Sequence, residues 1–185
     1  MASFYRIKPR VENGDYAHRM LSWDAESDHS AEAYFAWDRA FSAAATLVEA
    51  RAVPMGFFTV WDDPETAQRA ELSDWPPTIF SLPVASKRVA EVLSDLAPNV
   101  QWIPLPPLSN GEPCGQGVLF GVQSFAINAS FDPSQAPQFF ASDEKPIDRR
   151  FFVSFLARQR LEEIGVAGIE FAPFVAGPEP FSLFG

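Results

Sequence analysis

The chain repeats one pattern of apolar and polar positions, once in its middle and once near its end. The middle copy has a short apolar run, an amphipathic stretch at Val84–Val92 and a second apolar run that ends at Pro104. The later copy has the same order around Leu156–Ile164 and ends at Pro173. Short apolar runs predict buried strands, and apolar positions three and four apart predict a helix. Each copy therefore predicts a strand-helix-strand corner.

When the two copies are aligned, Arg88 matches Arg160 at an offset of 72 residues, and Pro104 matches Pro173 at an offset of 69. The first strand of the first corner is predicted at Thr78–Leu82, and that of the second corner at Phe151–Phe155. The apolar faces of the two helices are expected to pack on a shared sheet. The face of the first helix contains Val89, Val92 and Leu93, and that of the second contains Leu161 and Ile164.

The N-terminal part predicts a strand, a loop and the longest helix of the chain. Residues 1–10 alternate as a strand does, and residues 11–30 are polar and acidic, which favours a loop. A helix is predicted over Ala31–Ala50, with Ser30 as a possible N-cap. Its apolar stripe comprises Tyr34, Trp37, Phe41, Ala44 and Val48, and Glu32, Asp38 and Glu49 are expected to face solvent.

Together these elements predict an α+β fold. The expectation is a single domain with two related strand-helix-strand corners on a mixed sheet, plus one longer N-terminal helix. Within residues 1–185 we distinguish a variable acidic N-terminal part (1–77), a core with both corners (78–176) and a tail (177–185).

Composition limits the class of protein. Apolar residues make up 47% of the 185, with 18 Phe and 5 Trp, which is enough for a real core. The single cysteine excludes a disulfide framework, and the sequence lacks a long apolar run, so no membrane span is predicted. The N-terminus lacks the apolar centre of a signal peptide, and we therefore expect a cytoplasmic protein.

The net charge of −10 is concentrated in one region, because residues 11–75 contain 13 acidic and only 4 basic side chains. Such a field repels nucleic acid and anionic lipid and attracts a basic partner. Acidic surfaces also simply keep proteins soluble. If a partner binds here, the predicted contacts are acids with two tryptophans as anchors, and Trp37 is more typical of core. The predicted contacts are Asp24, Glu26, Asp28, Asp38, Asp62, Asp63, Glu65, Asp74, Trp61 and Trp75.

No motif in the chain predicts catalysis, a cofactor or a metal. Gly115, Gly117 and Gly121 resemble a dinucleotide fingerprint, but they open a predicted strand rather than a helix. His18 and His29 have no ligand spacing, and Cys114 has no histidine placed beside it to act as a base. We therefore predict no catalytic, cofactor-binding or metal-binding residue.

The two corners resemble a domain family of immunity proteins from bacterial polymorphic toxin systems, the type first named from a myxobacterial protein. The resemblance is carried by Ile79 to Pro104, by the β-rich stretch Val118 to Asp132, and by Phe152 to Pro173. It covers the C-terminal part of the chain. The helix predicted at Ala31–Ala50 and the acidic region around it have no counterpart in the family pattern.

The resemblance implies a non-catalytic protein that binds and neutralises a cognate toxin. An acidic surface would suit a basic toxin, and partner specificity would lie in the unmatched N-terminal part. Two alternatives remain open, namely a small-molecule or nucleotide-processing enzyme with a site assembled from scattered residues, and a scaffold or adaptor domain. The sequence leaves the oligomeric state undetermined.

Overall fold

The computed structural model describes residues 4–12, 15–16, 20–23, 30–56, 58–61, 73–78, 82–108, 110–127, 131–144 and 148–174. The strands are β1 (Phe4–Pro9), β2 (Val11–Glu12), β3 (Asp15–Tyr16), β4 (Met20–Trp23), β5 (Phe58–Trp61), β6 (Val84–Ser86), β7 (Gln101–Pro104), β8 (Gln116–Phe120), β9 (Ser124–Phe125), β10 (Phe139–Ser142), β11 (Phe151–Ser154) and β12 (Ile169–Pro173). The helices are α1 (Ser30–Ala43), α2 (Leu47–Ala52), α3 (Lys87–Leu96) and α4 (Phe155–Glu163), with a 3-10 turn at Pro133–Gln135. The chain is therefore α+β, as predicted.

Both predicted corners are present, and they share one topology. In the first unit, β6-α3-β7, the two strands are parallel and β8 lies between them, antiparallel to both. In the second unit, β11-α4-β12, the strand between them is β1 from the N-terminus. Each unit is thus a β-α-β motif split by an inserted antiparallel strand.

The two units correspond at an offset that differs from the one the arginines suggest. Ser86 caps α3 by accepting the amide of Val89, and Ser154 caps α4 by accepting the amide of Ala157. These serines are 68 positions apart. Arg88 therefore corresponds to Leu156, and its predicted match with Arg160 is wrong, because the N-cap fixes the start of each helix.

Two further expectations for the first unit are corrected. Its first strand is Val84–Ser86, whereas Thr78 forms only an isolated bridge to Leu21. The units also do not share a sheet. The first builds a three-stranded sheet, β6-β8-β7, and the second belongs to a mixed five-stranded sheet, β12-β1-β11-β10-β9.

The units share a core instead of a sheet. Leu93 of α3 and Leu161 of α4 are fully buried in one cluster that also contains Ala85 and Leu119 of the first unit and Val153 of the second. The opposite face of the three-stranded sheet packs on α1, β4 and β5 in a second cluster. Both helices therefore contribute to the core cluster that the two units share.

The N-terminal part contains more strands than predicted. The predicted strand at 1–10 is confirmed by β1, but the segment expected to be a loop contains β2, β3 and β4. The predicted helix over Ala31–Ala50 is two helices, because Thr46 and Glu49 form a capping box that starts α2. As a result Val48 is 78% exposed instead of part of the apolar stripe.

None of the helices in the described ranges combines the length and apolar character that crossing a bilayer requires. The proposed tail, residues 177–185, lies outside the described residues.

Candidate functional site

The structure locates four of the ten predicted partner contacts. Asp38, Asp74 and Trp75 are 8%, 5% and 4% exposed, so these three side chains do not face a partner. Trp61 lies in β5, but its side chain is outside the described part. The other six also lie outside the described residues, and their role stays a prediction. They are Asp24, Glu26, Asp28, Asp62, Asp63 and Glu65.

Asp38 was expected in solvent but faces the interior, where it pairs with Arg149 at 3.7 Å. Burial raises the pKa of Asp38, and the positive charge of Arg149 lowers it only in part. The position is explained by helix geometry, since Asp38 is four residues after Tyr34 and three before Phe41, which are both buried. That spacing was visible in the sequence and places Asp38 at the edge of the apolar stripe.

A cavity of about 310 Å³ lies between α1 and the two sheets. Its walls include Trp37, Asp38, Phe120 and Arg149. The buried indole nitrogen of Trp37 has no hydrogen-bond partner among the described residues. An adjoining cavity of about 190 Å³ has only basic charged residues in its walls, where Arg149 pairs with Asp38 and Arg150 pairs with Glu144. Its basic residues are Arg6, Lys8, Arg149 and Arg150.

Asp74 is the centre of what we call the first junction, where the start of α3 meets the end of α4. Its carboxylate accepts hydrogen bonds from the Ser86 hydroxyl (2.6 Å), from Arg88 Nε (2.7 Å) and Nη2, and from the Ala167 amide (2.7 Å). Burial alone would raise the pKa of Asp74, but the bonds from Arg88, Ala167 and Ser86 hold it below its ordinary value.

Arg88 joins the two units directly. Besides Asp74, its guanidinium donates to the carbonyls of Ile164 (3.3 Å) and Gly165 (3.4 Å), which follow α4. A helix ends with carbonyl groups that lack intrahelical partners, and a cation there is favourable. Arg88 of the first unit therefore binds the carbonyl groups at the C-terminal end of α4, the helix of the second unit. This role leaves no local signal in the sequence, because Arg88 and Ile164 are 76 positions apart.

The second junction, where the start of α4 meets the end of α3, repeats part of this arrangement. The backbone amide of Ser86 donates to the carbonyl of Asp74, and that of Ser154 donates in the same way to the carbonyl of Gln138, both at 2.9 Å. The Ser154 hydroxyl also bonds Gln138 Oε1, as that of Ser86 bonds Asp74. Gln138 is thus the counterpart of Asp74. The following residues, Trp75 and Phe139, touch edge to face at 6.2 Å between ring centroids.

The second junction lacks the charged pair and contains a cavity. Leu156 stands where the first unit has Arg88, and it is 46% exposed. A space of about 190 Å³ lies beside Gln138, and its walls include Leu96, Ala97, Asn99 and Gly121. Equivalent backbone positions thus form a closed ionic contact in one junction and an open cavity in the other.

The two helices also differ in their exposed apolar side chains. On α3 the exposed side chains are charged, namely Lys87, Arg88, Glu91 and Asp95. The second unit exposes the charged Arg160, Glu162 and Glu163, and it also exposes large apolar side chains at both ends of α4. They are Phe155 at 39%, Leu156 at 46% and Ile164 at 37%.

The remaining candidates do not form a reactive centre among the described residues. Burial raises the pKa of the Cys114 thiol, which disfavours the reactive thiolate. Gly117 lies in β8, as predicted for a strand, and a Cβ there would collide with the ring of Trp102 at 2.3 Å. No group of three metal-ligating side chains occurs in the described ranges, and His18 and His29 lie outside them.

A comparison with protein-family models finds no match to this chain, and none of the curated proteins compared with it is similar in sequence.

Proposed function

We propose that this protein is a non-catalytic immunity protein that binds and neutralises a cognate bacterial toxin in the cytoplasm. The stretches that resemble the immunity family, Ile79 to Pro104 and Phe152 to Pro173, contain the two split β-α-β units. The two units agree in cap and topology and share a core, so these stretches are structural units of the fold.

The observation that carries the proposal is the group of apolar side chains exposed at the two ends of α4. Single exposed apolar residues are normal on a soluble protein. Here three of the five large apolar side chains exposed in the described residues fall within ten positions, Phe155 to Ile164. Phe155 and Leu156 correspond to Lys87 and Arg88 of α3, so the topology of the unit does not require this exposure. Exposed apolar side chains next to charged ones are typical of a protein-protein contact.

Charge indicates the kind of partner. The chain carries a net charge of −10, and Glu162 and Glu163 are exposed on α4 itself. Complementary charge speeds association and disfavours wrong partners. We therefore propose a basic toxin with an apolar patch that packs on Phe155 and Leu156. The acids Asp62 and Asp63, outside the described residues, remain predicted steering groups.

The test is co-expression with the toxin encoded beside this gene, followed by affinity measurements. The variant Phe155→Ser/Leu156→Ser should weaken binding about 30-fold, because central apolar contacts contribute about 2 kcal/mol. The matched control Lys87→Ser/Glu91→Ser changes two exposed positions of α3 and should alter affinity less than about threefold. Equal effects of the two variants would contradict a contact through α4, and failure of the wild type to protect cells would refute the immunity function.

The cavity beside α1 favours a second candidate, a small-molecule enzyme. Arg149 and the unpaired Trp37 indole are donors that suit an anionic ligand, and Asp38 is a carboxylate with a raised pKa. A turnover activity that Asp38→Asn abolishes, while the α4 variant retains it, would favour this function over immunity.

A further inference from the structure

The second junction has the backbone positions of the first, but a leucine, Leu156, stands where the first has Arg88. In the first junction the guanidinium of Arg88 occupies the space between Asp74 and the carbonyls of Ile164 and Gly165. In the second, Leu156 is too short and too apolar to do the same. A cavity of about 190 Å³ remains there, between Gln138 and the end of α3.

The end of α3 is electronegative. The carbonyl of Leu93 accepts the amide of Ala97, and the carbonyl of Ala97 accepts the amide of Val100. The other carbonyls of the last turn have no partner within the helix. The last turn contains Asp95 and no basic residue, so the negative end of the helix dipole lacks a compensating cation on its own helix. The last turn of α4, in contrast, contains Arg160 and is met by Arg88.

Gly121 forms another wall of this cavity and cannot be replaced without a shift. Its φ is +80°, and a Cβ would lie 2.0 Å from the carbonyl oxygen of Asn99. The carbonyl of Asn99 therefore lies directly against the turn after β8. The wall combines apolar side chains with the backbone at the end of α3, around a space large enough for a planar cation.

We propose that this cavity binds an arginine side chain of the partner protein, in the position that Arg88 occupies in the first junction. The inference rests on the proposed function, since a basic toxin supplies the residue. Arginine suits the site better than lysine because its planar fork donates to several acceptors at once. Leu156 is the counterpart of Arg88, so the apolar side chains at the start of α4 and the arginine cavity would belong to one contact.

Gln138 limits how tightly the cavity can bind a guanidinium group, because its side chain carries no charge. Asp74 gives the first junction a full negative charge, whereas Gln138 offers only an amide held by Ser154. The change Gln138→Glu keeps the length of the side chain and adds the missing charge. A charged acceptor strengthens a hydrogen bond to a guanidinium.

The probe is N-acetyl-arginine methylamide, titrated into the full chain and followed by NMR, with N-acetyl-lysine methylamide as the matched comparison. The arginine compound should shift the amides of Ala97, Asn99 and Val100 and the side-chain amide of Gln138. Gln138→Glu should tighten its binding about tenfold. Leu156→Arg should abolish the shifts because its own guanidinium fills the cavity, whereas the control Leu156→Ala should retain them.

Equal binding of the lysine compound, or unchanged shifts in Leu156→Arg, would overturn the proposal. So would the absence of binding to both the wild type and Gln138→Glu. If the arginine compound fails while the protein still protects against its toxin, only the cavity proposal is refuted. If it binds as expected while no toxin is neutralised, only the proposed function is refuted.

Discussion

The two junctions have the same backbone arrangement, yet one is closed by charge and the other is open. Asp74 and Arg88 tie the start of α3 to the end of α4, while their counterparts Gln138 and Leu156 make no such tie and a cavity lies between Gln138 and the end of α3. The difference therefore arises from two side chains and not from topology. In a repeated unit, one copy of a contact can stabilise the fold while the other copy stays open to bind a partner.

The largest effect is expected where the two units do not differ. Leu93 and Leu161 are equivalent, fully buried and part of one core cluster. Leu93→Ala and Leu161→Ala should each lower the free energy of unfolding by about 3 kcal/mol, because each leaves a cavity in that core. Chemical denaturation should show one transition in both variants. Two separate transitions in either variant would mean that the units fold independently and that the shared core does not couple them.

The equivalence of Leu93 and Leu161 also shows what could be read from the sequence. Both corners were predictable because their apolar positions and capping serines are local signals. The predicted correspondence of Arg88 with Arg160 was wrong, because matching residue types do not reveal where a helix begins. The insertion of β1 and β8 into the units depends on pairing between distant segments, as does the contact of Asp74 with Ala167, and neither leaves a local pattern. For Asp38 the helical spacing from Tyr34 was a usable signal.

A smaller loss is expected when the first junction is made to resemble the second. Arg88→Leu should lower the free energy of unfolding by about 2 kcal/mol, because Asp74 stays buried without its cation. The loss is smaller than for a fully buried pair because the Arg88 side chain is 49% exposed. Denaturation at neutral pH measures it. The double variant Arg88→Leu/Asp74→Asn should recover part of the loss, and no recovery would mean that the Asp74 charge is not the cause.

The pH dependence of the same contact has a defined sign. The pKa of Asp74 is lower in the folded protein than in the unfolded chain, so its carboxylate stabilises the fold above the unfolded pKa of about 3.9. This contribution is lost as the pH falls through the lower, folded pKa. The stability difference between the wild type and Asp74→Asn should therefore be constant near neutral pH and shrink below about pH 4. A difference that grows in acid would contradict the assignment.

The smallest effect is expected when the second junction is made to resemble the first. Leu156→Arg places a guanidinium beside the carbonyls at the end of α3, where the helix dipole is negative and no basic residue lies in the last turn. We expect a gain of about 0.5 kcal/mol in the free energy of unfolding, as is typical for a cation at a helix C-terminus. Leu156→Gln is the matched control, since it is polar and uncharged and should give no gain. The gain should fall at high salt, because the interaction is partly exposed and is screened. If Leu156→Arg and Leu156→Gln are equally stable at low salt, the end of α3 does not attract a cation, and the two junctions differ in shape alone.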